Sequence, residues 1–166
     1  MLNLTPQQTA DYLHRSYTAV DGLWFMKAEA VLGFDGALDI DAEVWKVMPK
    51  IQARKLKEIG GMKAGMEALF ECFTAKLTLD GFAFAAQRDD TAGITITISG
   101  CPWVELLKKS GRGGLAERIG RRICDTEYAV WAQEFGPGIE VEFGDRLCRG
   151  CRECVLKFTA SARPSR

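Results

Sequence analysis

Residues 94–103 read ITITISGCPW. Ile94, Ile96 and Ile98 alternate with Thr95, Thr97 and Ser99. That period of two sets apolar side chains on one face of a strand and hydroxyls on the other. Cys101-Pro102-Trp103 then opens a short helix, because proline suits a first helical position where no backbone donor is needed. A strand buried on one face requires partners beside it and a layer over it. The rest of the chain is read for both.

Partners lie on either side. Phe82-Ala83-Phe84 reads as a strand that pairs with residues 94–99 as a hairpin, with Asp89-Asp90 in the turn. Ile139, Val141 and Phe143 alternate with Glu140 and Glu142, giving a third strand. Cys154, Leu156 and Phe158 alternate with Val155, Lys157 and Thr159, giving a fourth. Between the hairpins runs a helix from about Leu115 to Phe135, ended by Gly136-Pro137-Gly138.

The covering layer is the first half. Thr5-Pro6-Gln7-Gln8 is a helix start in which Thr5 and Gln8 can close a capping box. Leu13, Tyr17, Val20 and Trp24 follow on one apolar face, and Gly33 ends that helix. A second helix is predicted from about Ile40 to Ile59, with Val44, Trp45, Met48 and Ile51 inward, a kink at Pro49, and Gly60-Gly61 as its stop. A third carries Met66, Leu69, Phe70, Phe73 and Leu77 and ends near Gly81. The fold predicted is α+β, a helical N-terminal half packed on an antiparallel sheet of about four strands. It forms a single domain over residues 1–160, with 161–166 a flexible tail.

Composition narrows the function. The 166 residues have 47% hydrophobic and 27% charged content, ordinary for a globular protein large enough to bury a core. Net charge is zero, which removes the electrostatic case for nucleic acid or a membrane surface as partner. The N-terminus shows no basic segment before an apolar core, and no apolar run reaches the ~20 residues of a membrane span. A cytoplasmic protein is expected. There thiols stay reduced, so six cysteines point to a metal or to catalysis before disulfides.

The cysteines are unevenly placed. Cys72 stands among Phe70 and Phe73 and reads as a small core residue. The other five follow Gly100. Cys101 precedes a helix, whose dipole predicts a lowered thiol pKa. Cys124 lies inside the long helix with Glu127 and Trp131 near its face and Asp125 turned away by about a quarter of the circle. Cys148, Cys151 and Cys154 form C-x2-C-x2-C in DRLCRGCREC, residues 145–154. Zinc and iron–sulfur clusters both want about four such ligands. Three close cysteines fall short, so a site must borrow Cys101, Cys124 or Glu127. The ferredoxin run C-x2-C-x2-C-x3-C-P fails, because Phe158 stands where its fourth cysteine would be. A zinc ribbon fails for want of a second local pair. His14, the only histidine, reads as a surface residue, and the aromatics at helical spacing (Trp24, Phe25, Trp45, Phe70, Phe73) read as core before pocket lining. GRGGLAERIG, residues 111–120, does not fit a dinucleotide fingerprint.

SGCPW (99–103), ICDTEYAVW (123–131) and FGDRLCRGCRECVLKF (143–158) together resemble the L-2-amino-thiazoline-4-carboxylic acid hydrolase-like family. More distantly they resemble the 4-vinyl reductase-type domain, whose fold a vesicle-tethering subunit family shares. The helical half, including AVDGLWFMKAE, resembles bacterial and archaeal proteins that carry no assigned activity. The resemblance implies an α+β domain with a metal or cluster near the cysteines and a pocket between helices and sheet. It maps the family's features onto Cys101, Cys124 with Asp125, and the pair Cys148 and Cys154, leaving Cys151 as a spare thiol or an alternate ligand. With cysteines replacing a mixed ligand set, it implies Cys101, Cys124, Cys148 and Cys154 as ligands of a 4Fe–4S cluster or zinc, with Glu127 as the substitute.

Two function classes follow. One is a ligand-binding or sensing module for a small molecule, stapled by the metal. The other is a metal-assisted hydrolase opening a C–N or C–S bond in a small ring such as an amino-thiazoline carboxylate, with Asp125 or Glu127 as acid/base. A small-molecule ligand or substrate is the expected partner, and a homodimer is compatible with the sequence.

Overall fold

The computed structural model describes residues 2–89 and 93–161. Asp90 of the expected turn and residues 162–166 of the expected tail lie outside the described residues. The protein is α+β. Its elements run α1 (Pro6–Trp45), α2 (Met48–Gly60), α3 (Met66–Leu79), β1 (Ala83–Arg88), β2 (Ile94–Gly100), α4 (Pro102–Lys109), α5 (Ala116–Phe135), β3 (Ile139–Phe143) and β4 (Cys154–Ala160). No helix among the described residues is long and apolar enough to cross a membrane.

The chain divides into two compact units, Met1–Glu43 and Val44–Arg166. The first is helical. Its start is the capping box: the Thr5 N–H donates to Gln8 Oε1 at 2.9 Å, and the Gln8 N–H donates to Thr5 Oγ1 at 3.2 Å. Gly33, at φ 75° and ψ 170°, breaks α1 where the sequence ends its first helix. The rings of Phe25 and Phe34 meet edge-on across the break at 5.8 Å. The apolar face is present but not buried: Leu13, Val20 and Trp24 are 59%, 55% and 73% exposed. Periodicity shows which face of a helix is apolar and does not say what covers it.

In the second unit the chain leaves the helix at a turn over Lys46 and Val47, and Pro49 begins α2 instead of kinking a continuous helix. In the first turn its missing N–H has no partner to lose. Trp45 is buried while Val44, its neighbour on α1, is 50% exposed, and beyond the restart, which resets the helical phase, Ile51 is 58% exposed. Gly61 caps α2 in the left-handed conformation at φ 61°.

The sheet is antiparallel throughout in the order β1-β2-β4-β3. Ile94, Ile96 and Ile98 of β2 pair with Phe158, Leu156 and Cys154 of β4. All six face the helices, and the first five are buried. Phe73 of α3 joins the layers. Its ring stands edge-on to Tyr128 at 5.3 Å and Trp131 at 5.4 Å on α5, and to Phe158 at 5.1 Å on β4. Helix α2 is fastened to α5 by Arg54, whose Nε and Nη2 donate to the two carboxylate oxygens of Glu134 at 2.9 and 2.8 Å. Lys57 donates to the Glu134 carbonyl at 2.7 Å.

Phe73→Ala should cost about 3–5 kcal/mol, because it removes a fully buried ring and leaves three aromatic neighbours facing a cavity. Urea denaturation measures it. Cys72→Ala, one position away on the same helix, should cost less, since only a small side chain is lost.

Candidate metal centre

Five of the six cysteines gather at one end of the sheet. The β2–β4 ladder ends with Ile98 opposite Cys154, and three residues beyond Ile98 stands Cys101. It caps α4 with extended backbone at φ −116° and ψ 113°, and the N–H groups of Val104 and Trp103 reach its sulfur. Cys154 opens β4. Its Sγ accepts the Leu147 N–H at 3.0 Å and is also reached by the Cys148 N–H. A short 3-10 turn, Leu147–Arg149, thus wraps around that sulfur, closed by Gly150 at φ 85°, a left-handed position that suits glycine.

Helix α5 completes the set. A Cβ on Gly120 would lie 2.8 Å from Cys148 Sγ and 3.1 Å from its Cβ, so the cysteine turn packs directly on glycine backbone. Cys124 follows one turn later on the same face. Two ion pairs pin the turn to α5: Arg146 to Asp125 at 2.5 Å, and Arg149 to Glu117 at 3.0 Å. The Arg146 guanidinium also lies 3.9 Å above the Phe143 ring.

The four cysteines feel one another in a closed ring: Cys124 with Cys101 and Cys148, Cys148 with Cys154, and Cys154 with Cys101. Cys151 also acts on Cys154. Burial pushes all four ring thiols above their ordinary value, Cys124 well above it. This corrects the expectation for Cys101. The backbone donors of α4 do lower its pKa, but desolvation outweighs them. The ring is therefore a set of neutral thiols. Among the described residues no group of three or more Cys, His, Asp or Glu side chains is placed, as it stands, to hold a metal ion.

Beside the ring sits a charge that sequence reading overlooked. Lys76 of α3 is 3% exposed, with Nζ 2.6 Å from Glu127 Oε1 and 3.2 Å from Asp80 Oδ2. Phe82, Tyr128 and Phe73 surround it, with ring centroids 5.1, 5.4 and 5.9 Å from Nζ. Burial alone would depress its pKa, but the two carboxylates carry it upward and the ammonium stays charged. Its field extends to Cys101 and Cys124. Glu127 is itself raised by burial against the pull of Lys76. The Lys76 ammonium donates to the Glu127 Oε1 across 2.6 Å. The signal for Lys76 was available: it follows Phe73 by three residues on an otherwise apolar helix face. Gly120 left no such trace.

The remaining candidates divide cleanly. Asp125 is turned away from Cys124 and engaged by Arg146. Cys72 is buried in the core with Sγ 3.9 Å from Met62 Sδ, and His14 is exposed on α1. The Trp131 Nε1–H is buried without a hydrogen-bond partner among the described residues.

Fold and site together define an α+β protein with a cysteine-rich corner where a sheet end meets a helix. Residues 7–148 match the Family of unknown function (DUF6125), and the chain belongs to that family. The match takes in Cys101, Cys124 and Cys148. No curated protein and no solved structure matches the chain.

Gly120→Ala should destabilise the protein by about 1–3 kcal/mol through overpacking, against the ~1 kcal/mol that alanine ordinarily gains in a helix interior. Denaturant titration gives the sign. A gain in stability would mean the Cys148 turn moves aside freely. The thiols set a second expectation. An unfolded thiol ionises near 9.0, whereas the folded ones hold their protons to higher pH. The folded state thus binds more protons above that value, and metal-free protein should lose stability as pH rises past about 9. Thermal unfolding between pH 7 and pH 10 reads it.

Proposed function

We propose that this protein binds a thiophilic metal, zinc or a 4Fe–4S cluster, through Cys101, Cys124, Cys148 and Cys154. On this reading it serves as a ligand-binding or sensing module. The observation that carries the reading is the gathering at one corner of cysteines from the β2–α4 junction, α5, the 3-10 turn and β4, with Ile98 paired to Cys154, Cys154 Sγ taking the Leu147 N–H, and Cys148 packed on Gly120. Such soft donors suit zinc, iron–sulfur clusters and Cu(I), and a set of four suits the first two best. Zinc held by all four cysteines would be a closed structural site that staples the sheet end to α5, and a cluster would supply electron transfer. Backbone N–H groups aimed at Cys101 and Cys154 would stabilise their thiolates, and the Lys76 ammonium would offset part of the negative charge of four of them. Loading must expel thiol protons and turn side chains about χ1 from their metal-free rotamers.

The hydrolase alternative has less support. Both carboxylates it would use are committed, Asp125 to Arg146 and Glu127 to Lys76. The likeness of residues 99–158 to the amino-thiazoline hydrolase-like family therefore supports a metal at these cysteines more than it supports turnover.

Protein purified without oxygen should carry bound metal. Broad visible charge-transfer absorption identifies a cluster, and colourless protein with one equivalent of zinc identifies the other site. Cys148→Ser and Cys154→Ser should each lose metal and stability, whereas Cys151→Ser should keep both. A metal-free, fully stable protein counts against the whole reading, and equal metal loss from all three variants counts against the choice of four ligands. Affinity for added zinc should fall as pH falls, because protons compete for every sulfur.

A further inference from the structure

The first segment of α1, from Pro6 to the break at Gly33, exposes a broad apolar face. Leu13, Val20, Leu23, Trp24, Met26 and Val31 are each more than half exposed. Together they offer on the order of 700 Å² of apolar side-chain area, close to the roughly 800 Å² that each partner buries in a standard protein interface. The line through the middle of this face is Leu13, Ser16, Val20, Leu23, Lys27 and Ala30. Its steps alternate three and four, the spacing of a coiled-coil seam sustained over two and a half heptads. A seam of that period is shaped for another helix.

The seam also selects its partner. Laid antiparallel on a copy of itself, with the twofold axis between Val20 and Leu23, each first-type position meets a second-type position of the copy. Leu13 then faces Ala30, large against small, and Val20 faces Leu23. Lys27, the one charged residue of the seam, faces Ser16, its one hydroxyl. A parallel copy in register would instead stack Lys27 on Lys27 and Ser16 on Ser16. A lipid surface fits less well, since Asp11, Asp21 and Glu29 outnumber Arg15 and Lys27 over residues 6–32.

We propose that two copies of this chain associate through this face of α1 as an antiparallel helix pair with Ser16 opposite Lys27. The pairing is isologous, the commonest closed symmetry for soluble proteins. It does not depend on a metal at the cysteines.

Sedimentation velocity of the full-length protein over a range of concentrations tests it. Wild type should be a dimer at micromolar concentration. Leu23→Glu should be a monomer with unchanged helical circular dichroism, because the side chain it replaces is exposed. Ser16→Glu should tighten the dimer by about two- to five-fold through an ion pair with Lys27, and Ser16→Lys should weaken it by a similar factor. Opposite signs for the two Ser16 variants support the antiparallel register, and equal signs overturn it. The proposal also fails if wild type stays monomeric at ~100 µM, if Leu23→Glu dimerises unchanged, or if a monomer pellets with phosphatidylglycerol vesicles.

Discussion

The Phe73 ring is the contact on which the second unit depends. It touches α5 at Tyr128 and Trp131 and β4 at Phe158, so one side chain fixes a helix, a second helix and the sheet against one another. Edge-on geometry at these separations adds to the area each ring buries. Tyr128 is four residues past Cys124, and Phe158 is four past Cys154. Seating those aromatics therefore also sets where the two cysteines emerge. The cysteine corner is in this sense a by-product of core packing.

A cost is built into the same place. Lys76 sits one turn beyond Phe73, and its burial is tolerated only because Glu127, Asp80 and three aromatic faces surround it. A buried pair of this kind contributes little net stability over a hydrophobic substitute, while removing one partner typically costs several kcal/mol. The ammonium stands beside sulfurs that burial holds in the neutral form. The corner therefore sets a cation already paired with two carboxylates beside thiols that burial keeps protonated, and a second cation, Arg146, acts on Cys148 and Cys154.

The sheet was legible from its alternation because β2 and β4 are half-buried, so period and burial coincide at Ile94, Ile96, Ile98, Leu156 and Phe158. Alternation did not show that β2 pairs with β4, the contact that sets Ile98 opposite Cys154, and the grouping of Cys101, Cys124, Cys148 and Cys154 came from the family resemblance. What stayed hidden has physical reasons. Pro49 is equally consistent with a kink and a restart, and only the turn at Lys46–Val47 separates them. The helix-end argument for Cys101 was right about the donors and wrong about the sign, because desolvation depends on tertiary packing. Gly120 looked like any helix glycine, since the group it admits arrives from 28 residues away. For α1 the pattern named an apolar face correctly and left open its cover.

The strand order leaves β3 at one margin of the sheet, with no strand on its outer side among the described residues. Glu140 and Glu142 project from that strand into solvent. Two molecules drawing together along this margin would bring four carboxylates into one small space before any ladder could form. The repulsion guards against open-ended fibre growth in a chain whose strands are otherwise rich in isoleucine, valine and phenylalanine. A substitution that neutralises both glutamates would leave every core contact in place and still make the protein harder to keep in solution.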